Sequence, residues 1–394
     1  MQCVDQPVPF SASRMRLSRQ LAVCAPNAFK GTLSAAAAAA AMVRGARDAG
    51  ADAIALPVAD GGDGTLDVLL RARGSEARVT RHRVTGPTGA VVTARLGWIG
   101  PDAAVVELAE ASGLRRLTPG APDALHATSR GTGELIRIAL DAGARTIVVG
   151  VGGSACTDGG AGLLQALGAH LTRADGQEIG AGGAGLEALD AIDLSAAQRA
   201  LAGCSIQVAC DVRSPLLGPQ GSARVFAPQK GASPAEVVRL ERALTHLARV
   251  AEGLGRGDVV ELPGSGAAGG CGFGLALAGA RLQPGAPIVC DLVGLDAALR
   301  TATVALTGEG CLDSQTPQGK APAEVAARSA ARGVPCIAIA GAVLEPLPQL
   351  FSAAISLSDI DPGVDPKLHA RALLRRGARR AIEGMLTRDA RVET

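Results

Sequence analysis

Five short apolar runs each end in a loop that mixes glycine with acidic or small polar residues. Leu21–Ala25 leads into PNAFKG (Pro26–Gly31), Ile54–Ala59 into DGGDGT (Asp60–Thr65) and Thr146–Val151 into GGSACTDGG (Gly152–Gly160). Ile206–Cys210 leads into DVRSPLLG (Asp211–Gly218), and Thr303–Thr307 into GEGCLDSQT (Gly308–Thr316). Glycine lets backbone N–H groups converge on a phosphate. Carboxylates beside it suit Mg²⁺, a hard cation that takes oxygen ligands and substrate phosphates. One such loop is an ordinary tight turn. Five at strand ends read as nucleotide-dependent phosphoryl transfer, where positioning and charge neutralisation do most of the work.

The basic residues sharpen that reading. Only Lys30, Lys230, Lys320 and Lys367 are lysines among 39 basic residues, and Asn27 is the only asparagine. Where arginine serves almost everywhere, a retained lysine marks a place too tight for the guanidinium fork, such as a phosphate oxygen. Lys30, Lys230 and Lys320 fall in glycine-containing loops and are read as functional; Lys367, near the C-terminal helix, is read as a chance survivor.

Other chemistries lack their parts. The five histidines show neither HxxH nor HExxH spacing, so a zinc site and a serine-type triad are not expected. Nine cysteines form no CxxC, and five lie in apolar stretches, as reduced packed thiols of the cytoplasm do. Gly319–Lys320 is followed by Ala321, so no P-loop is present. One GxGxxG occurs, Gly264–Gly269, with Asp291 beyond it at Rossmann spacing; an NAD(P)-dependent dehydrogenase is therefore the weaker alternative. A non-catalytic metabolite-binding protein is a third reading, which leaves the acidic loops and retained lysines without a task.

A net charge of +2 and 47% hydrophobic residues give no cause to expect nucleic-acid or membrane partners. The alanine run Ala35–Ala41 stops at Arg44, well short of a bilayer span. Residues 1–20 carry arginines without a following apolar stretch and read as a disordered extension.

Around the loops, strand-length apolar runs alternate with helical patterns, which is an α/β organisation. Further strands are expected at Val91–Leu96, Ala104–Leu108, Ile288–Cys290 and Cys336–Ala340. Helices are expected at Ser34–Ala49, Gly64–Ala72, Thr132–Ala142, Gly160–Leu167, Pro234–Glu252, Gly319–Arg332 and Pro366–Leu386.

Eight motifs then carry a family resemblance: APNAFKGTLSA, PVADGGDGT, ELAEASGL, TSRGTGEL, GVGGSACTDGGAGLLQALGA, CDVRSPLLGPQGSARVFAPQKGAS, LPGSGAAGG and GEGCLDSQTPQGKAP. In this order, from about Leu21 to the last helix, they resemble the bacterial glycerate kinases. Asn27 and Ala28 stand where that family often has Asp and Ser, and Cys311 where it often has Arg. The resemblance implies ATP, Mg²⁺ and D-glycerate as reactants, with 2-phosphoglycerate as product and 3-phosphoglycerate as the alternative. It also implies a discontinuous flavodoxin-like domain (21–83 and 288–386, parallel sheet) interrupted by a restriction-enzyme-like α/β domain (84–287). Residues 387–394 would be a tail, and a homo-oligomer is compatible with this layout.

Roles follow for such a reaction. Lys30 and Lys320 would meet the ATP phosphates, and Asp60 and Asp63 would hold Mg²⁺ directly or through water. Lys230 or Arg213 would meet the glycerate carboxylate. Asp211, with Asp313 as rival, would accept the hydroxyl proton. Asn27, Gly61, Gly62, Gly64, Thr65 and Glu309 line the same loops as binding residues. Gly152, Gly153 and Ser154 would donate backbone N–H groups, oriented by Asp158. Asp63 and Asp158 each precede a helix and equally suit a capping role, and Glu309 equally suits an ion pair with a nearby arginine.

Overall fold

The apolar runs fold into two sheets with helices between and outside them. The computed structural model describes residues 20–118, 123–314, 316–344 and 349–392. The first sheet has five parallel strands in the order Ala353–Ser356, Cys336–Ala340, Val304–Thr307, Leu21–Cys24, Asp52–Ala55. Numbered along the chain, these strands run 2-1-3-4-5, a doubly wound order that opens a crevice between the first and third strands. The second sheet has six strands in the order Arg281–Pro284, Ser205–Cys210, Thr146–Gly150, Ala103–Glu107, Val91–Trp98, Arg78–Thr85. Its first four strands are parallel and its last two antiparallel to their neighbours.

Side chains alternate across each sheet, so every central strand feeds two cores. In the five-stranded sheet, Ala22, Cys24, Val304 and Leu306 pack under the helices Ala35–Asp48 and Ala370–Val392. In the six-stranded sheet, Val106, Ile147, Val149 and Val208 pack under Arg130–Asp141, Ala161–Ala166 and Pro234–Gly253. The remaining faces share one core. Val23 and Ala305 of one sheet, Val105 and Val148 of the other, and Leu66, Leu69, Ile288 and Val289 of two intervening helices form a single apolar cluster. Those helices, Thr65–Arg73 and Gly285–Val293, are thus a layer common to both sheets.

Ile288–Cys290, expected as a strand, lies inside that second helix. Three consecutive apolar residues have no period of their own, and burial from both sides makes a helix look like a core strand. Arg78–Thr85, Arg281–Pro284 and Ala353–Ser356 are edge strands that the sequence did not announce, because edges are short or charged. The boundary placed at residue 83 cuts the first of these, so residue 78 already belongs to the six-stranded sheet. The C-terminal helix continues to Val392, through most of the expected tail. The expected extension lies, apart from Gln20, outside the described residues. No helix among the described residues is long and apolar enough to cross a membrane.

Gly285 opens the second shared helix against the DGGDGT loop; a Cβ there would sit 2.0 Å from the Asp60 carbonyl oxygen. Gly285→Ala should therefore destabilise the protein by about 2 kcal/mol. Gly363→Ala, where a Cβ meets nothing, should stay within about 0.5 kcal/mol of wild type. Urea unfolding midpoints of the two variants check the difference.

Candidate active site

The DGGDGT loop is pressed between the carboxyl ends of both sheets. Gly61 has a φ of 97° and touches Ala209, where a Cβ would come within 2.3 Å of the carbonyl oxygen. Its own carbonyl accepts from Gly152 N–H at 3.2 Å. Asp60 is thereby brought to the end of the strand that carries Asp211. Asp60 Oδ2 accepts from Asn27 Nδ2 at 2.8 Å, and Oδ1 accepts from Gly62 N–H at 3.3 Å. Asn27 Oδ1 in turn accepts from Ala28 N–H at 2.7 Å, which fixes the amide's orientation.

Around this pair lies a cavity of 680 Å³ at the crevice between the first and third parallel strands. Lys30, Asp60, Asp211, Glu309 and Lys320 supply much of its polar wall, and Phe29, Leu357 and Ala342 part of its apolar one. Lys320 Nζ lies 3.4 Å from Asp313 Oδ1 and 3.6 Å from Glu309 Oε1. Glu309 Oε1 is buried and accepts no hydrogen bond. Glu309 thus pairs with a lysine, not with an arginine. Burial, opposed by Lys320 and reinforced by Asp60, pushes its carboxyl up to about 7. Burial and the nearby Asp60 likewise push Asp211 up to about 6, against the pull of Lys30 and Lys320.

Asp211 also borders a second cavity of 980 Å³, with Val212, Arg213, Arg281, Gln283, Pro317 and Gly319 among its walls. A single carboxylate therefore faces two cavities. Arg281 and Lys367 reach this region unannounced by the sequence. Arg281 sits on an unexpected edge strand, and Lys367, read as a chance survivor, lines the 680 Å³ cavity.

Several expected residues lie elsewhere. Lys230 is 2% exposed and donates to the Cys156 carbonyl at 2.5 Å, in neither cavity. Burial lowers its ammonium pKa, and nothing in this position can meet a substrate carboxylate. Asp158 is wholly buried and accepts from Ser129 N–H and Oγ–H at 2.8 Å, from Gly160 N–H at 3.1 Å and from Gly162 N–H at 3.4 Å. It ties two helix starts together, as the capping reading has it.

Asp63 does not cap. Glu107 Oε2 accepts from Gly64 N–H at 3.2 Å and Leu66 N–H at 3.0 Å, which leaves the exposed Asp63 carboxylate beside Gly153. Gly152 already spends its N–H on Gly61, and Ser154 is buried opposite Gly113. Thr65 Oγ1 donates to Gly62 O at 2.7 Å and braces the loop from within. Glu107 was the missed residue here; its signal was an acidic residue ending an apolar strand.

The GxGxxG tract serves packing. Cβ atoms at Gly266 and Gly269 would lie 2.1 Å from Pro215 O and 2.0 Å from Cys156 O, so backbone fills the space a dinucleotide would need. The Rossmann alternative loses its motif.

Residues 22–382 match the sequence model of the glycerate kinase family. Glycerate 2-kinase of Escherichia coli K12 is 44% identical over 353 residues, covering 86% of this chain and 92% of that one. Glycerate kinase of Bacillus subtilis 168 is 42% identical over 349 residues, covering 87% and 91%. A crystal structure assigned to glycerate kinase 2 of Salmonella typhimurium LT2 superposes with a TM-score of 0.81 at 42% identity. It covers 94% of this chain and all of that one.

The raised pKa of Asp211 has a consequence for stability. The folded protein holds this proton more tightly than the unfolded chain, so folding loses stability as pH climbs from about 4 through about 6. In chelator, Asp211→Asn should therefore gain about 3 kcal/mol at pH 8. At pH 4 the gain should nearly vanish, and denaturant melts at the two pH values measure both.

Proposed function

This chain belongs to the glycerate kinase family, and on that footing we propose that it moves the γ-phosphoryl group of ATP to the 2-hydroxyl of D-glycerate. The observation that carries this reading is Asp211, one carboxylate walling two cavities at the carboxyl ends of both sheets. ATP occupies the 680 Å³ cavity, its base against Phe29 and Leu357 and its phosphates toward Lys30 and Lys320. Glycerate enters from the 980 Å³ side, with Arg213 for its carboxylate now that Lys230 is withdrawn. Asp211 accepts the hydroxyl proton. A carboxylate pushed up to about 6 is still ionised near neutrality yet is a stronger base than an exposed one. Its rival Asp313 is already ion-paired with Lys320.

Mg²⁺ fits the donor set. Asp60 pushes up both Asp211 and Glu309, and Glu309 Oε1 is buried without a hydrogen-bond donor, a concentration of negative charge that a divalent cation relieves. Asp60 would hold it, with Asp63 through water; when bound it neutralises the phosphate charge. We assign the five-stranded sheet and its helices to a flavodoxin-like domain, and the six-stranded sheet to a restriction-enzyme-like insertion.

Incubation with ATP, Mg²⁺ and D-glycerate should give a product that enolase converts to phosphoenolpyruvate without phosphoglycerate mutase. A signal that requires the mutase would move transfer to the 3-hydroxyl, and absence of ADP would overturn the kinase reading for glycerate. Asp211→Asn and Lys30→Ala should each lower kcat/KM by about 10²-fold or more. Chelation by EDTA should abolish turnover and Mg²⁺ should restore it.

A further inference from the structure

One charged surface is used by neither cavity. In the antiparallel pair Arg78–Thr85 and Val91–Trp98, Arg81 stands directly opposite Arg95 on one face of the sheet. Like charges in that position repel, and a sequence keeps them where something else gains. Arg115 and Arg116 approach the same face from the turn after the helix Leu108–Ser112. With Thr93 and Glu110, these four arginines wall a depression of 370 Å³.

The charges there do not balance locally. Glu110, almost wholly buried, is the only carboxylate in the wall. Its Oε1 accepts from Arg95 at 2.8 Å and Arg115 at 2.6 Å, and its Oε2 lies 3.4 Å from Arg116. Arg95 turns also to Asp67 at 2.6 Å, and Arg115 to Glu107 at 3.5 Å. Arg81 is exposed, and among the described residues no carboxylate pairs with it. Arg95 directs Nε, Nη1 and Nη2 to Glu110 and Asp67, and Arg115 and Arg116 each give Nε to a backbone carbonyl. Among the described residues that leaves Nη1 of Arg115, Nη1 of Arg116 and the Arg81 guanidinium as the donors for phosphate oxygens.

We propose that this depression binds a phosphate dianion, free or carried on a small metabolite, and that its occupancy is felt at the active site through Arg115 and Glu107. Glu107 holds the N–H groups of Gly64 and Leu66, the start of the helix that follows Asp60 and Asp63. An anion that draws Arg115 outward takes a positive charge away from Glu107 Oε1 and leaves the buried carboxylate compensated by the N–H groups of Gly64 and Leu66 alone, which changes how that helix start is held. Binding and turnover are therefore linked by one side chain at each step.

Titration calorimetry with inorganic phosphate, and separately with glycerol 3-phosphate, tests the site without any turnover, so its outcome is independent of the glycerate reaction. Wild type should bind saturably. Arg81→Gln, which breaks no ion pair, should weaken binding about tenfold while leaving phosphate-free kcat unchanged. Lys320→Ala should bind as wild type does. Tighter binding of the ester would identify a carried phosphate, and equal or weaker binding a free one. No saturable binding, or binding lost in Lys320→Ala and kept in Arg81→Gln, would overturn the site. Phosphate should also shift KM for glycerate or ATP at least twofold in wild type and not in Arg81→Gln; binding without that shift would overturn the link.

Discussion

Everything at the candidate active site depends on the close contact between the DGGDGT loop and the two sheet ends that clamp it. Gly61 meets the Ala209 backbone, Gly152 meets Gly62, and Gly285 meets the Asp60 carbonyl, at separations that no side chain could share. The contact holds because the helices on either side, Thr65–Arg73 and Gly285–Val293, are buried in a core that both sheets contribute to. A sheet that shared no core with its neighbour would rotate freely about the connecting segments. Here the middle helix layer belongs to both, so the geometry between Asp60 and Asp211 is set by packing.

That packing gathers charge against its own preference. Asp60, Asp211 and Glu309 converge in a partly dehydrated cavity, where burial and the charge of Asp60 push the carboxyls of the last two up. Lys30 and Lys320 offset some of that cost. The remainder is stability withheld from the fold and available to a cationic ligand. An active site built this way is least comfortable when empty.

Asp158, Glu107 and Lys230 serve structure instead, and the supply of protein partners separates the two uses. Asp158 is saturated by four donors, Glu107 by two backbone N–H groups, and Lys230 is committed to the Cys156 carbonyl. A buried charge must be compensated by its own protein, so what compensates it leaves nothing to offer a substrate. Asp211 and Lys320 differ because their partners are few and their side chains border open space.

Residue type and local order carried much of this into the sequence. The apolar runs, their glycine-acid loops and the placement of those loops at strand ends required only neighbouring residues, and Lys30, Asp60, Asp211, Glu309 and Lys320, which they singled out, line one cavity. Edge strands such as Arg281–Pro284 were illegible because charge and shortness mask the alternation, and Ile288–Cys290 was misread because a helix buried on both sides has no polar face. Lys230 and Asp158 looked equal to Lys320 and Asp211 on type and spacing. Only the tertiary structure divided them, since exposure and the supply of donors at a position depend on chain segments far away in sequence. The sequence by itself determined which groups were available for phosphoryl chemistry. The packing of two sheets on one helix layer decided which of them face a ligand, because desolvation acts on the assembled fold and not on the chain.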